Sequence, residues 1–360
     1  MSPDWVVIGG GLTGAALAWE LQRAGAQTLL LDREPKVAGA TAQSYGGLPH
    51  WSATTPLMAQ LFAESMALYP TLGETLGADI GFAAIPLLMP TLPGDDLEAL
   101  ARGFAAMARP PQWLEPAAAR TIEPLLTGNL TGAFATEHAW VDLTALTQGY
   151  REAMVRLGGE FRCATVKPPL TLPLQTTAGE ITAGAIALCA GGDSGELLGR
   201  RSEPLRFTHS TALDVKTDRR LQAFVLSPHL ARLRLEQSGE MTKVVDMGAV
   251  PTAQGVRLGQ VSRLGDAGEA AAQIQAIREA VRDVLPTLAD LPGTVLRCTV
   301  AFTPTGMPLV QPLHSQIYLF TGFTSPTLFV PPLAQRFAQA VLGDRLSVEG
   351  LTAFGWPPHR

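Results

Sequence analysis

Cysteine is scarce. Cys163, Cys189 and Cys298 are the only three in 360 residues, and no two form a C-x-x-C pair. That excludes a disulfide framework and a cysteine-built zinc site, and it makes a reducing cytoplasm the expected compartment. Charge is thin as well: Asp, Glu, Lys and Arg supply 16% of the chain, against about 25% in an average soluble domain. No cationic run exceeds the pairs Arg200-Arg201 and Arg219-Arg220, and the net charge is −5. The clustered cations of a nucleic-acid or anionic-membrane binder are therefore missing. Long apolar runs are missing too. The stretch 5–19 is broken by four glycines and a threonine and follows Asp4 rather than a basic segment, which argues against a signal peptide or a membrane span. Internal repeats and low-complexity tracts are absent.

What is abundant is apolar residue, at 46%, and glycine, at 36 positions. A chain of this length and composition buries a large core. Trp5-Val6-Val7-Ile8 reads as a buried parallel strand ending in glycines. A helical pattern from Leu12 stops at Gly25, and Thr28-Leu29-Leu30-Leu31 gives a second strand closed by Asp32. This is a βαβ unit. Further helices are predicted over 56–69, 142–157 (Asp142 as N-cap, Gly158-Gly159 as stop), 269–285 and 333–342. A buried strand is expected over 181–190. Between 205 and 261 the chain reads as a series of strands, among them Arg232-Leu233-Arg234-Leu235 and Val256-Arg257-Leu258-Gly259, and strands return over 295–302 and 316–320.

Gly9-Gly10-Gly11-Leu12-Thr13-Gly14 supplies G-x-G-x-x-G between that first strand and its helix. Gly9 serves the tight turn, Gly11 lets backbone approach a pyrophosphate, and Gly14 lets helix pack on strand. The anion rests on the N–H groups of Leu12 and Thr13 at the positive helix end. Asp32, 18 residues beyond Gly14, stands where an acid accepts ribose hydroxyls. The motif alone does not separate FAD from NAD. The small-residue loop 37–47 favours FAD, because it lets backbone follow an elongated cofactor, as does the segment 185–192, which ends Ala190-Gly191-Gly192.

With these come Gly39-Ala40-Thr41 through Gly46-Gly47, Leu114-Glu115-Pro116, Glu123-Pro124-Leu125-Leu126, Trp140-Val141-Asp142, Gly255-Val256-Arg257-Leu258-Gly259, Thr303-Pro304-Thr305-Gly306-Met307-Pro308 and Thr321-Gly322-Phe323. In this order the chain resembles the D-amino-acid oxidase superfamily of FAD enzymes, in the branch of glycine oxidase and monomeric sarcosine oxidase. The resemblance implies an α/β fold: a discontinuous Rossmann-like FAD-binding domain (1–75, 140–204, 298–360) with an inserted, mostly antiparallel substrate domain (76–139, 205–297). It implies bound FAD and oxidation of a C–N bond in a small amine or amino acid, hydride passing to flavin N5 and oxygen or another acceptor reoxidising the flavin. No catalytic triad or metal is expected. Arg33, Ala40, Thr41, Ser44, Gly46, Gly47, Val166, Ala190, Gly191, Gly322, Ser325, Thr327 and Leu328 join the cofactor contacts.

The sequence departs from the pattern at several points. The carboxylate-binding arginine is replaced by Val300, and the nearest cation, Arg297, has the opposite strand parity. The acid after Thr-Pro is Thr305, and Thr327 stands for a glycine. Cys298 matches the spacing of a flavin-linked cysteine, and equally reads as a small buried hydrophobe. Arg297, His50 and Tyr45 are the catalytic candidates, and Arg257 and Arg263 are further carboxylate contacts or solvated cations. Met247, Phe323 and Phe329 read as core. Two other readings stay open: a dehydrogenase of a hydroxy acid or polyol with a non-oxygen acceptor, and a catalytically silent flavin-binding subunit.

Overall fold

The computed structural model describes residues 2–238 and 241–358. Two sheets organise them. The first runs Leu309–His314, Ile317–Thr321, Ala185–Leu188, Trp5–Ile8, Thr28–Asp32, Glu160–Cys163. Its neighbours are parallel except for Leu309–His314. Trp5–Ile8 lies at its centre, buried at every position, which is why those residues are apolar without alternation. Helices Leu12–Arg23, Leu143–Arg156 and Pro326–Val341 pack on one face around Leu17, Leu30, Tyr150 and Phe337, while Leu170, Leu174 and Leu198 cover the other. Asp142 caps Leu143–Arg156 by accepting from the N–H groups of Thr144 and Ala145.

The second sheet runs Gly293–Phe302, Arg206–Lys216, Gly255–Leu264, Lys243–Thr252, Phe224–Leu226, Ala83–Thr91, Gly132–Trp140, Gly47–Leu48, with Gln112–Leu114 also on Gly132–Trp140. Every pairing is antiparallel except Phe224–Leu226 with Ala83–Thr91. Leu213, Val215, Met247, Ala249, Val256 and Leu258 meet helix Ala270–Val284 through Ile277 and Val281. By strand alternation Asp214, Gly248, Arg257 and Gly259 face the other way, toward the loop 42–47. The expected α/β architecture with a mostly antiparallel second sheet is thus present.

Four local expectations are corrected. Residues 232–235 are not a strand but part of helix Ala231–Ser238. Four alternating residues cannot set a period, and the pairing of Arg232 Nε with Glu236 Oε1 at 2.8 Å uses helical spacing. Residues 239 and 240 of the same predicted series lie outside the described residues. The strand expected over 181–190 is divided into Gly179–Ile181 and Ala185–Leu188, with Gly184 turning beside Asp4, whose carbonyl oxygen would stand 2.8 Å from a Cβ. The helix expected from 333 begins at Pro326 and carries Pro331 and Pro332 inside it. The domain boundary expected at 298 falls inside Gly293–Phe302, which pairs along its length with Arg206–Lys216 in the second sheet.

Candidate functional site

The chain leaves Ile8 through Gly9 at φ +102°, and the Gly9 N–H donates to the Leu31 carbonyl at 2.8 Å. A Cβ at Gly9 would lie 2.5 Å from the Cys189 carbonyl oxygen, and one at Gly14 would run into the carbonyl oxygen of Gly9. Both glycines are therefore fixed by strand–helix packing. Gly11 differs: a Cβ there would approach only the Thr41 side chain, with the hydroxyl at 2.9 Å. No side chain caps the helix at Gly11 and no acid sits in its first turn. Leu12 N–H donates to Thr41 Oγ1 at 3.2 Å. The result is a positive helix end beside open backbone, which fits the pyrophosphate of a dinucleotide.

Asp32 Oδ2 accepts from Gly10 N–H at 2.5 Å and Oδ1 from Glu34 N–H at 2.8 Å. Under this turn lies Arg151, which the sequence reading missed. Its side chain is 4% exposed and stands 3.8 Å from Asp32 Oδ2. Its Nε donates to the Gly10 carbonyl at 2.8 Å, another nitrogen reaches the Pro35 carbonyl at 3.3 Å, and the guanidinium covers Phe161 at 4.7 Å. Burial lowers its pKa and Asp32 opposes that. The available signal was a cation within the buried stripe Leu146, Tyr150, Met154. Val166 is buried and bridges Thr176, next to Ala164, whose N–H donates to the Asp32 carbonyl at 2.7 Å. Arg33 pairs with Asp193 at 3.1 Å, two residues beyond Gly191.

The loop after helix Gly39–Gln43 leads to the second sheet. Gly46, at φ +72°, would drive a Cβ into the Val141 carbonyl, and a Cβ on Gly47 would lie 2.7 Å from His138 Nε2. Thr327 Oγ1 donates to the Gly47 carbonyl at 3.0 Å. This brings the glycine pair to the start of helix Pro326–Val341, where Ser325 offers no side-chain cap and Gly322 turns at φ +80°. Of the four residues expected here, Thr327 is the one that bonds the glycine pair, while Gly322 packs against Leu205 and Thr303. A cleft bounded by Thr41, Tyr45, Gly46, Trp140, Val250 and Arg257 opens alongside. Arg257 does not point to solvent. It grips Asp214 through Nε at 2.7 Å and a terminal nitrogen at 2.9 Å, and donates to the carbonyls of Ala42 and Ser44 at 3.1 and 2.7 Å, fastening the loop to the sheet. Arg263 holds Asp266 at 3.0 Å.

The three catalytic candidates do not converge. Arg297 is exposed and donates to the carbonyls of Ala267 and Gly268 at 2.7 and 2.9 Å. His50 is half-buried, its pKa lowered by burial and then by Arg109, with Glu137 opposing. Tyr45 alone enters the interior between loop and sheet. Its hydroxyl stands against Gly248 and Gly259, whose added Cβ atoms would lie 2.9 and 2.7 Å away. Burial and then Asp246 push that hydroxyl well above its ordinary range. Cys298 pairs with Ser210 across the strands, and burial raises its thiol against the pull of Arg232 and Arg257. Val300 faces Thr208 in the ladder.

Other groups at this end escaped the sequence reading. His138 is buried, held neutral with its pKa pushed down to about 3 by burial and then by His50, and accepts from Trp51 Nε1 at 3.4 Å. Asp246, Arg232 and Glu236 gather beneath helix Ala231–Ser238. Neither signal was legible, because the carboxylate lies within a β-bulge between Val245 and Gly248 and the helix was read as a strand. Among the described residues no cluster of three His, Cys, Asp or Glu side chains could hold a metal ion, and no helix is long and apolar enough to cross a membrane.

A family model described as FAD dependent oxidoreductase matches residues 4–340. Among curated proteins, the bifunctional protein ThiO/ThiG of Nostoc sp. is 30% identical over 210 residues, covering 55% of this chain and 32% of its own. Glycine oxidase of Geobacillus kaustophilus is 30% identical over 141 residues, covering 36% and 37%. The chain thus spans about a third of the length of these relatives. The solved structure of that glycine oxidase superposes with a TM-score of 0.80 at 20% identity, covering 100% of this chain and 99% of the other. Iminodiacetate oxidase from Chelativorans sp. BNC1 gives 0.75 at 19% identity, covering 94% and 95%.

Proposed function

Because this chain belongs to the DAO family of FAD-dependent oxidoreductases, we propose that it oxidises the C–N bond of a small amine or amino acid, with oxygen or another acceptor closing the cycle. The observation that carries the reading is the Thr327–Gly47 bridge, which holds the glycine pair at the start of helix Pro326–Val341 next to the cleft lined by Thr41, Tyr45 and Gly46.

The residues have separable tasks. Gly11, Leu12 and Thr13 receive the pyrophosphate, with Thr41 turning its hydroxyl aside. Asp32 takes ribose hydroxyls, while Arg151 holds the turn from beneath. Gly191 leaves open space beside Ala190, while Gly46 and Gly47 let the loop pack against Val141 and His138. The Thr327 N–H at the start of helix Pro326–Val341, where no side chain caps the helix, would offer positive dipole to the flavin when FAD is bound. FAD, when bound, supplies the two-electron acceptor. The Arg257–Asp214 clamp fixes the loop wall of the cleft, which holds a substrate carbon in one orientation.

Titrating FAD-loaded protein anaerobically with a panel of primary and secondary amines and amino acids tests this. Loss of the flavin absorbance with an amine is expected. A panel that leaves it unchanged while hydroxy acids or polyols remove it would replace the reading. That second reading has its own support in a 32% identity over 151 residues to a chain of the anaerobic glycerol-3-phosphate dehydrogenase of Escherichia coli, covering 41% of this chain and 27% of that one. Peroxide formed during aerobic turnover separates an oxidase from a dehydrogenase.

A further inference from the structure

Two buried polar atoms between the loop 42–47 and the second sheet have no hydrogen-bond partner among the described residues: Tyr45 Oη and Asp246 Oδ1. Leaving either unmade costs free energy, so a fold retains such atoms together where a ligand completes them. Their placement is shared. The Tyr45 hydroxyl lies over Gly248 and Gly259, which pair across adjacent strands, and Asp246 precedes Gly248 by two residues. The backbone N–H groups of Ala231 and Arg232 bind the Asp246 carboxylate, so its other oxygen remains for something else. Arg232 is already committed through Nε to Glu236. The open atom of the acid is thus an acceptor only, beside a hydroxyl that both donates and accepts.

We propose that Asp246 Oδ1 and Tyr45 Oη form the substrate's amine subsite, Asp246 accepting a hydrogen bond from a cationic ammonium group and Tyr45 completing its coordination. This rests on the amine-oxidising reading above and narrows it: the ligand is a small primary or secondary ammonium compound, selected at the nitrogen rather than through an arginine at position 300. The glycine pair beneath Tyr45 makes room for the hydroxyl itself, since a Cβ at Gly248 or Gly259 would lie 2.9 or 2.7 Å from it.

The test is calorimetric binding of methylammonium chloride and, separately, sodium acetate to FAD-loaded wild type, Asp246→Asn and Tyr45→Phe, with thermal melting of each. A charge-assisted hydrogen bond predicts at least about a tenfold weaker methylammonium affinity in Asp246→Asn, with acetate affinity not reduced. Tyr45→Phe is expected to bind methylammonium several-fold more weakly while melting at the same or a higher temperature, because it deletes an unpaired buried hydroxyl. Failure of wild type to bind methylammonium, or equal loss of both ligands in Asp246→Asn, overturns the subsite. So does a lowered melting temperature in Tyr45→Phe with unchanged affinity. A wild type that takes up no FAD sinks the amine-oxidising reading itself, an outcome distinct from these.

Discussion

Tyr69 Oη donates to the Thr327 carbonyl at 2.7 Å, and Thr327 is the residue whose carbonyl a helical N–H at position 331 would claim. Position 331 is proline and has no N–H. The next carbonyl, Leu328, loses its partner to Pro332 in the same way and is met by Ser65 Oγ at 2.5 Å. Helix Pro56–Leu76 thus repairs the double break that Pro331-Pro332 makes in helix Pro326–Val341, and holds the Thr327 end against Gly47.

Tyr69→Phe is expected to lower stability by about 1–3 kcal/mol, the cost of an orphaned buried carbonyl, with Ser65→Ala in the same range. Denaturant melts of the two single variants and the double variant check this. Both variants should also weaken FAD binding, because the Thr327–Gly47 bridge loosens.

Arg151→Met removes the donors to the Gly10 and Pro35 carbonyls. A loss of about 2–4 kcal/mol is expected, near the lower end for breaking a buried charged network. Arg151→Lys should recover only part of it, since one ammonium cannot reach both carbonyls in the guanidinium's fork geometry. Denaturation of the apoprotein isolates this effect from cofactor binding.

Cys298 sits where burial raises the thiol, with Arg232 and Arg257 pulling the other way. A raised thiol resists forming the nucleophilic thiolate. Acid precipitation of the FAD-loaded protein is therefore expected to leave the yellow colour in the supernatant, and a coloured pellet would show the tether.

Asp246 has its pKa pushed up to about 6, by burial first, against Arg232, the backbone N–H groups of Arg232 and Ala231, and His229. The folded state therefore holds this proton more tightly than the unfolded one. The group favours folding below the unfolded value near 4, and that contribution fades as pH rises through about 6. Asp246→Asn is expected to be more stable than wild type at pH 8, by at most about 3 kcal/mol, and the gap should close toward pH 4. Activity runs the opposite way: kcat/KM for an ammonium substrate should rise through pH 6 in wild type as Asp246 ionises, and be flat there in the variant. The other charged or titratable groups coupled to this pocket are Glu236, Arg257, Asp214, Tyr45 and Cys298, so Glu236→Gln serves as a control for the assignment.

The glycine turn was legible in the chain because its spacing is local: Gly9, Gly11, Gly14 and Asp32 are set by one strand, one turn and one helix. Its supports from outside the unit, the Cys189 carbonyl against Gly9 and Arg151 on the Gly10 carbonyl, were not. Nor was the substrate end. Arg297 was singled out for nearness in sequence to Val300, yet strand alternation turns it to the outer loop, where Ala267 and Gly268 take it. Arg257, read as a carboxylate contact or a solvated cation, is a clamp because Asp214 lies on the neighbouring strand. The alternation of Arg and Leu over 232–235 suggested a strand, whereas Glu236 one turn away selects a helix.

Fold class, glycine turn and family are thus readable along the chain, since periodicity, glycine placement and motif order need no knowledge of distant contacts. Which charges are spent on architecture and which atoms are left open emerges when the sheets pack. That depends on neighbours hundreds of residues apart: Gly47 with Thr327, Tyr69 with a carbonyl that proline orphaned, and Tyr45 with two glycines of the far sheet. A polar group's role follows from whether its partner is present, and partners across strands and between sheets are set by packing rather than by spacing along the chain.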